Sequence, residues 1–470
     1  MKTALRAAVV AGVLVGACTA QAQFTVLHNF AGTSGTNIGG ANPYSDVSVS
    51  GSNMYGMTTL GPPGGAIFRM NTNGMNFNLI YQFGGVLPFG SVTVSGTNLY
   101  GMTYNGGQSG DGMIFRVGTD GNNFQILHPF TGGTNDGAHP FGSLTLSGDT
   151  LYGMTYQGGP SNLGVVFQIN TNGNNFGIVH PFLGGTGDGA LPVGDVLLSG
   201  STLYGMTSTG GTANVGTIFS VNTDGSGFNI LHSFGSFQFD GTGPQGNLTL
   251  AGSTLYGMAP FGGYMWIFQV NTNGASYQPL TTILGYAGHL PEHHSLTLVG
   301  STLYGMTAGG GGSATSSGDG NIFQMSTNST SISILHAFNM SDGLGPFGSL
   351  AFSGSALYGM TLEGGSNNDG VVFSYALPQP PPPPTPVLQM TGIAVQTNDI
   401  QISWSATAGT TNAVQATNGA GDGSYSTNFA DISPMIFVTG SGVIGTNYLD
   451  AGGATNTSTS SRYYRVRLVP

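Results

Sequence analysis

The phrase Tyr-Gly-Met occurs seven times, at Tyr55, Tyr100, Tyr152, Tyr204, Tyr256, Tyr304 and Tyr358, at spacings of 45 to 54 residues. Periods of that size belong to propellers and solenoids, whose copies bury their apolar faces only by stacking on one another. The third copy shows the unit. GSLTLSG from Gly142, TLYGMT from Thr150, GVVFQIN from Gly164 and NFGIVHPF from Asn175 are short runs rich in β-branched and aromatic residues. Turn residues bound each run, so the copy reads as four strands.

Two of the connections are tight. The first-to-second turn carries Gly51, Gly96, Gly148, Gly200, Gly252, Gly300 and Gly354, and the third-to-fourth turn places Asn73, Asp120, Asn172, Asp224 or Asn273 before glycine. Both predict hairpins through residues that tolerate positive φ. The other two connections are long, so the long loops gather on one face. The chain enters with FTVLHNF at Phe24–Phe30, a fourth strand without a copy, and the last copy stops after its third strand, VVFSYAL at Val371–Leu377. Each end supplies what the other lacks. The expectation is an all-β, seven-bladed β-propeller closed by its N-terminal strand, rather than a solenoid with capping repeats.

Strand alternation puts Leu203, Gly205 and Thr207 on one face of the inner hairpin and Tyr204 and Met206 on the other. Glycine inside a strand predicts close approach of a large side chain, such as the tyrosine or methionine of the adjacent blade. The phrase is therefore a structural brick and not a repeated ligand site.

The recurrent LYGMT, the glycines after it, and the later IF, Leu-His-x-Phe and Asp-Gly elements resemble the GloVer tandem repeat of extracellular "choice-of-anchor" proteins over roughly Phe24 to Leu377. The resemblance implies a secreted or surface protein with interchangeable C-terminal modules, and it supplies no activity and no catalytic residues. Copy five departs from the pattern, with Ala259 for threonine and no Leu-His-x-Phe in its fourth strand. No anchor helix with a basic tail follows the repeats.

Residues 1–22 read as an export signal: Lys2 and Arg6, an apolar run from Ala7 to Ala17, and Ala20-Gln21-Ala22 before Gln23. The run is too short for a stable transmembrane anchor. An alternative is lipoprotein processing at Cys18, the only cysteine. Cleavage after Ala22 removes the last lysine and moves the net charge from −11 to about −13. Phosphate backbones and anionic membranes need clustered cations, so nucleic acid is not an expected partner. The PQPPPPPTP stretch, residues 378–386, predicts a stiff polyproline spacer. Residues 387–470 alternate as a small fibronectin-III- or Ig-like β-sandwich, with Trp404 in its core.

The recurring His28, His128, His180, His232 and His336 occupy one position in the fourth strands and read as packing histidines around the rim. Asp136, Asp188, Asp240 and Asp342 precede glycine in the fourth-to-first loops. Each loop offers one carboxylate against the six to eight oxygens calcium takes, so Asx-type turns explain them better. A broken repeat is more informative than a kept one. GHLPEHHSL, Gly288–Leu296, stands where other copies read AHPFGSL, and FGGYMW occupies the second-to-third loop of copy five. These nominate Tyr264, Trp266, His289 and Glu292 for a ligand and His289, His293 and His294 for a metal ion. No catalytic residue is assigned and no cofactor is expected, a metal ion at this loop being the exception.

Three functions fit this pattern. The first is a non-enzymatic scaffold binding a glycan or surface protein through the long-loop face. The second is an extracellular metal-dependent hydrolase or lyase at the mouth between blades five and six, and the third is a structural envelope component.

Overall fold

A computed structural model of the chain describes residues 23–32, 40–61, 64–236, 240–261, 264–284, 295–310, 318–378, 388–418, 428–451 and 462–469. Residues 1–22, read from the sequence as an export signal, with Cys18, all but the first residue of the proline-rich stretch, and His289, Glu292, His293 and His294 lie outside the described residues. The chain divides into one unit at Gln21–Leu377 and another at Pro378–Pro470.

The first unit is an all-β propeller assembled from seven four-stranded antiparallel sheets. The third consists of Thr145–Ser147, Thr150–Thr155, Val165–Asn170 and Gly177–Pro181. The last combines Ala351–Ser353, Ala356–Thr361 and Val371–Ala376 with Gln23–Asn29, which pairs antiparallel to Val371–Ala376. The hydrophobic core lies between sheets. Tyr152 and Met154 of blade three pack on Val196, Leu203 and Phe219 of blade four. Tyr358 and Met360 of blade seven meet Val47, Met54 and Phe68 of blade one in the same way. Burying a phenylalanine or methionine fully stabilises by roughly 1.5–3 kcal/mol, and the arrangement recurs at every interface.

The glycine of the repeated phrase differs from expectation. Register places Gly153 opposite Phe167 of its own blade. A Cβ on Gly153 would lie 2.6 Å from Phe167 Cζ and 3.2 Å from Leu144 Cδ2. The approaching side chain is thus the cross-strand phenylalanine, because pairing within the sheet puts that ring over the glycine before any neighbouring blade reaches it. The methionine of the preceding blade comes next, 3.5 Å away for Met154 Cε at Gly205.

A series of backbone N–H to side-chain hydrogen bonds links the starts of the inner strands. Asp46 N donates to Ser91 Oγ at 2.9 Å, Ser91 N to Ser143 Oγ at 2.9 Å, Ser143 N to Asp195 Oδ1, Asp195 N to Asn247 Oδ1 at 2.6 Å and Asn247 N to Ser295 Oγ at 2.7 Å. Ser349 N of blade seven then donates to Asp46 Oδ1 of blade one. The glycines just before these residues permit the approach, since a Cβ on Gly142 would sit 2.4 Å from Gly194 O.

Two further details refine the strand reading. The seven first-turn glycines all have positive φ. In the third-to-fourth turns the glycine does, and so do Asn76, Asn123, Asn175 and Ser276 two residues after it, but not the Asn or Asp before it. The preceding Asn or Asp instead accepts the backbone N–H two residues on, as Asn172 does from Asn174 N at 2.9 Å and Asp120 from Asn122 N at 3.0 Å. A β-bulge between third and fourth strands also breaks simple parity, so Leu127 is buried while Ile126 is exposed.

The second unit is a sandwich. One sheet joins Leu388–Gln396, Asp399–Thr407 and Val443–Asp450, and the other is built on Thr411–Asn418 and Arg462–Val469. Trp404 is fully buried among Ile402, Ala406, Val414 and Val438.

Candidate functional site

Blade five interrupts the seven-fold pattern for a physical reason. In the other blades a buried threonine ends the second strand. In five of them its hydroxyl donates to the carbonyl two residues later, at 2.8 Å from Thr103, Thr155, Thr307 and Thr361 and 2.9 Å from Thr207, whereas the Thr58 hydroxyl of blade one makes no hydrogen bond among the described residues. Ala259 has no hydroxyl, and the strand runs on. Thr254–Phe261 and Tyr264–Asn271 form an eight-residue hairpin instead of six-residue strands joined by a long loop. Tyr264 and Trp266 therefore lie on a strand and not in the expected loop: Tyr264 pairs with Phe261 and Trp266 with Ala259. Trp266 is half-buried. The structure brings these two together on one hairpin and leaves their relation to the His289–His294 loop outside the described residues.

The rim histidines and the loop aspartates prove to be one device. His128 Nε2 meets Asp136 Oδ1 at 3.0 Å, His180 meets Asp188 at 3.2 Å, His232 meets Asp240 at 2.8 Å and His336 meets Asp342 at 3.2 Å. The aspartates also take a backbone N–H from the start of the same loop: Asp136 from Thr131 N, Asp188 from Leu183 N and Asp240 from Ser236 N. They are therefore staples that fold the fourth-to-first loop back on itself, not Asx turns. The signal in sequence was the constant eight-residue interval from histidine to aspartate in blades two to four. Burial pushes the Asp136 carboxyl up, but hydrogen bonds from His128 and Thr131 outweigh it and hold the group below its usual range.

Each of these rings also stacks on an aromatic of the next blade. His128 lies 3.8 Å from Phe176, His180 3.8 Å from Phe228, His232 3.5 Å from Tyr277, His336 3.8 Å from Phe24 and His28 3.6 Å from Phe77, and Tyr81 takes the histidine position against Phe124. At the interface between blades five and six both partners change together. Thr281 stands at the histidine position, opposite Ile267, and Ile332 at the aromatic one. The histidines are distributed around the ring, and among the described residues no three histidine, cysteine or carboxylate side chains gather as a metal site would require.

The axis carries the feature that sequence reasoning passed over. Tyr44, Phe89, Phe141 and Phe347, each after the proline that precedes an inner strand, form a crescent across blades seven, one, two and three at the long-loop end. Ring centroids are 5.4 Å apart for Phe347 and Tyr44, and 5.3 Å for both Tyr44 with Phe89 and Phe89 with Phe141. Tyr104 and Tyr156 extend it outward, and His139 stacks on Tyr104 at 4.7 Å. The repeated Pro-aromatic-Gly-Ser string could have revealed it. Beneath lies the axial series, in which burial raises the Asp195 carboxyl against hydrogen bonds from Ser143 and Asn247.

The repeat itself decides the family. A family model described as the Gloeobacter/Verrucomicrobia repeat matches residues 6–146 and 63–266, together more than half of the chain. The chain belongs to the Gloeobacter/Verrucomicrobia repeat family. None of the curated proteins compared with it matches. Among solved structures, this Gloeobacter/Verrucomicrobia repeat protein is similar to YCF48 bound to D1 peptide, at 9% identity and TM-score 0.47, over 76% of this chain and 96% of that one. A protein from Lactobacillus plantarum is similar at 12% identity and TM-score 0.42, over 82% and 95%. TolB from Acinetobacter baumannii follows at 11% and 0.34, over 70% and 78%.

In this repeat protein the closing strand holds the one stacked histidine without a carboxylate. Burial lowers the His28 pKa from 6.5 to about 4. The folded state thus binds fewer protons than the unfolded chain between those values, so this stabilisation is complete above pH 6.5 and is lost as pH falls toward 4. His28→Tyr, which installs the residue of blade one, is expected to reduce the fall in thermal midpoint between pH 7 and pH 4 by a few °C. An unchanged pH dependence would refute this role.

Proposed function

We propose that the protein is a secreted or cell-surface binding scaffold, engaging a glycan or a surface protein through the long-loop face at blade five. The observation that carries the reading is the extended hairpin Thr254–Asn271, whose two strands run eight residues where their counterparts run six, with the half-buried Trp266 on the added length. Regular interfaces hold the frame, and a departure confined to one blade is where a unique contact is built. Family membership and the export signal read from the sequence support an extracellular setting. No helix among the described residues is long and apolar enough to cross a membrane.

Arrays of glycans and surface proteins, probed with the full chain, test the reading. Trp266→Ala is expected to weaken a recovered interaction about tenfold or more, since buried aromatic anchors dominate such contacts, with the unfolding midpoint measured alongside. Retained binding would move the site elsewhere. A stoichiometric transition metal that is lost in His293→Ala/His294→Ala would favour the hydrolase or lyase reading instead.

A further inference from the structure

The axial crescent is a second surface on the same face, and its surroundings carry one sign of charge. Phe89, Phe141 and Phe347 are half-buried and not sealed in the core. The carboxylate of Asp46 belongs to the axial series beneath, and Asp111 lies 3.6 Å from His139, which stacks on Tyr104 of the crescent. Asp319, Glu363 and Asp369 recur in the surrounding loops, which contain no lysine and no arginine. The two arginines of this unit, Arg69 and Arg116, sit on third strands, and Arg69 acts on Asp120 in a tight turn at the opposite face.

We propose that the long-loop mouth of the axis binds an organic ammonium cation, a quaternary ammonium group or a lysine side chain, by contact with Phe89, Phe141 and Phe347. Aromatic faces attract cations through the ring quadrupole, and a cleft lined by one sign of charge concentrates the opposite ion. A neutral sugar would also stack, but it needs free hydrogen-bonding groups. The polar side chains beneath the crescent already accept the backbone N–H of the preceding blade, from Ser91 round to Asp46. A cation requires only the ring faces and the negative field. The inference rests on reading the long-loop face as a binding face, but not on blade five.

Titration calorimetry of the full chain with choline, with its neutral isostere 3,3-dimethylbutan-1-ol and with a short lysine peptide tests it. Choline or the peptide should bind at least about tenfold more tightly than the isostere, and the tighter of the two identifies a free or a protein-borne ammonium. Phe89→Leu/Phe141→Leu, which keeps apolar volume and removes the π faces, should lower affinity about tenfold. Should that variant fail to fold, Phe141→Leu alone, together with weakening by added salt, serves in its place. Equal binding of the isostere, or no binding of either cation, overturns the proposal. If cations fail while an array partner is still lost in Trp266→Ala, the ammonium site is wrong and the scaffold stands. If cations bind and no array partner is found, the ammonium site stands and the blade-five reading falls.

Discussion

Gly153→Ala is expected to destabilise the propeller by about 3 kcal/mol, at the upper end of the usual range for overpacking a close-packed core. The added carbon would meet Phe167 Cζ at 2.6 Å, and the ring cannot retreat, being fully buried with Phe130 at 5.5 Å and Phe176 at 5.7 Å. Denaturant midpoints at constant m-value read the effect. Gly177→Ala is the control: it lies on a neighbouring strand with nothing within 4 Å of an added Cβ and no positive φ. That change should be neutral or stabilise by up to about 1 kcal/mol through the unfolded chain. The double variant Gly153→Ala/Phe167→Leu should recover part of the loss, because the clash is with the ring and not with the backbone. If Gly153→Ala and Gly177→Ala behave alike, the cross-strand account of the repeated phrase is wrong.

The second large effect is expected for Asp240→Ala, about 3 kcal/mol at neutral pH. Asp240 is 2% exposed. Its carboxylate accepts from His232 Nε2 at 2.8 Å and Ser236 N at 2.9 Å, while its carbonyl accepts the Tyr277 hydroxyl at 3.0 Å. Removing the carboxylate takes this acceptor from the half-buried His232 ring and from Ser236 N, and frees the loop that Asp240 holds closed. Burial, with Asp240 beside it, raises the Tyr277 pKa, so that hydroxyl stays a donor throughout the physiological range. Asp240→Asn keeps an acceptor and should cost less. Asp149→Ala, at an exposed tight turn, should show no measurable change. Equal effects at Asp149 and Asp240 would reduce the staple to an ordinary surface contact.

Much of the fold was legible because a propeller writes its strands as repeated period-two runs, and because Phe24–Phe30 so clearly supplies the strand missing after Val371–Leu377. Trp404 was legible as core for a similar reason, lying on the apolar side of an alternating run. What escaped were contacts between positions that are each ordinary alone. His180 and Asp188 were read apart, one as packing and one as a turn, since a hydrogen bond across eight residues depends on how a loop folds back. Phe89 and Phe141 were passed over because a kept pattern looks structural, yet the copies of this position in blades seven, one, two and three meet around an axis that no single copy contains. The lengthened hairpin of blade five was hidden as well: the FGGYMW stretch cannot be told from a loop by composition.

The stacked girdle has a consequence for how such a chain can change. Each stack takes its histidine from one copy and its aromatic partner from the next, so the segment that is copied is not the segment that makes contact. A substitution in one copy is therefore tested against its neighbour as well as against its own sheet. Thr281 and Ile332 show the outcome, two departures in different copies that meet at a single interface. At this boundary the stack has lost both of its members, and the boundary flanks the blade whose lengthened hairpin sets it apart from the other six.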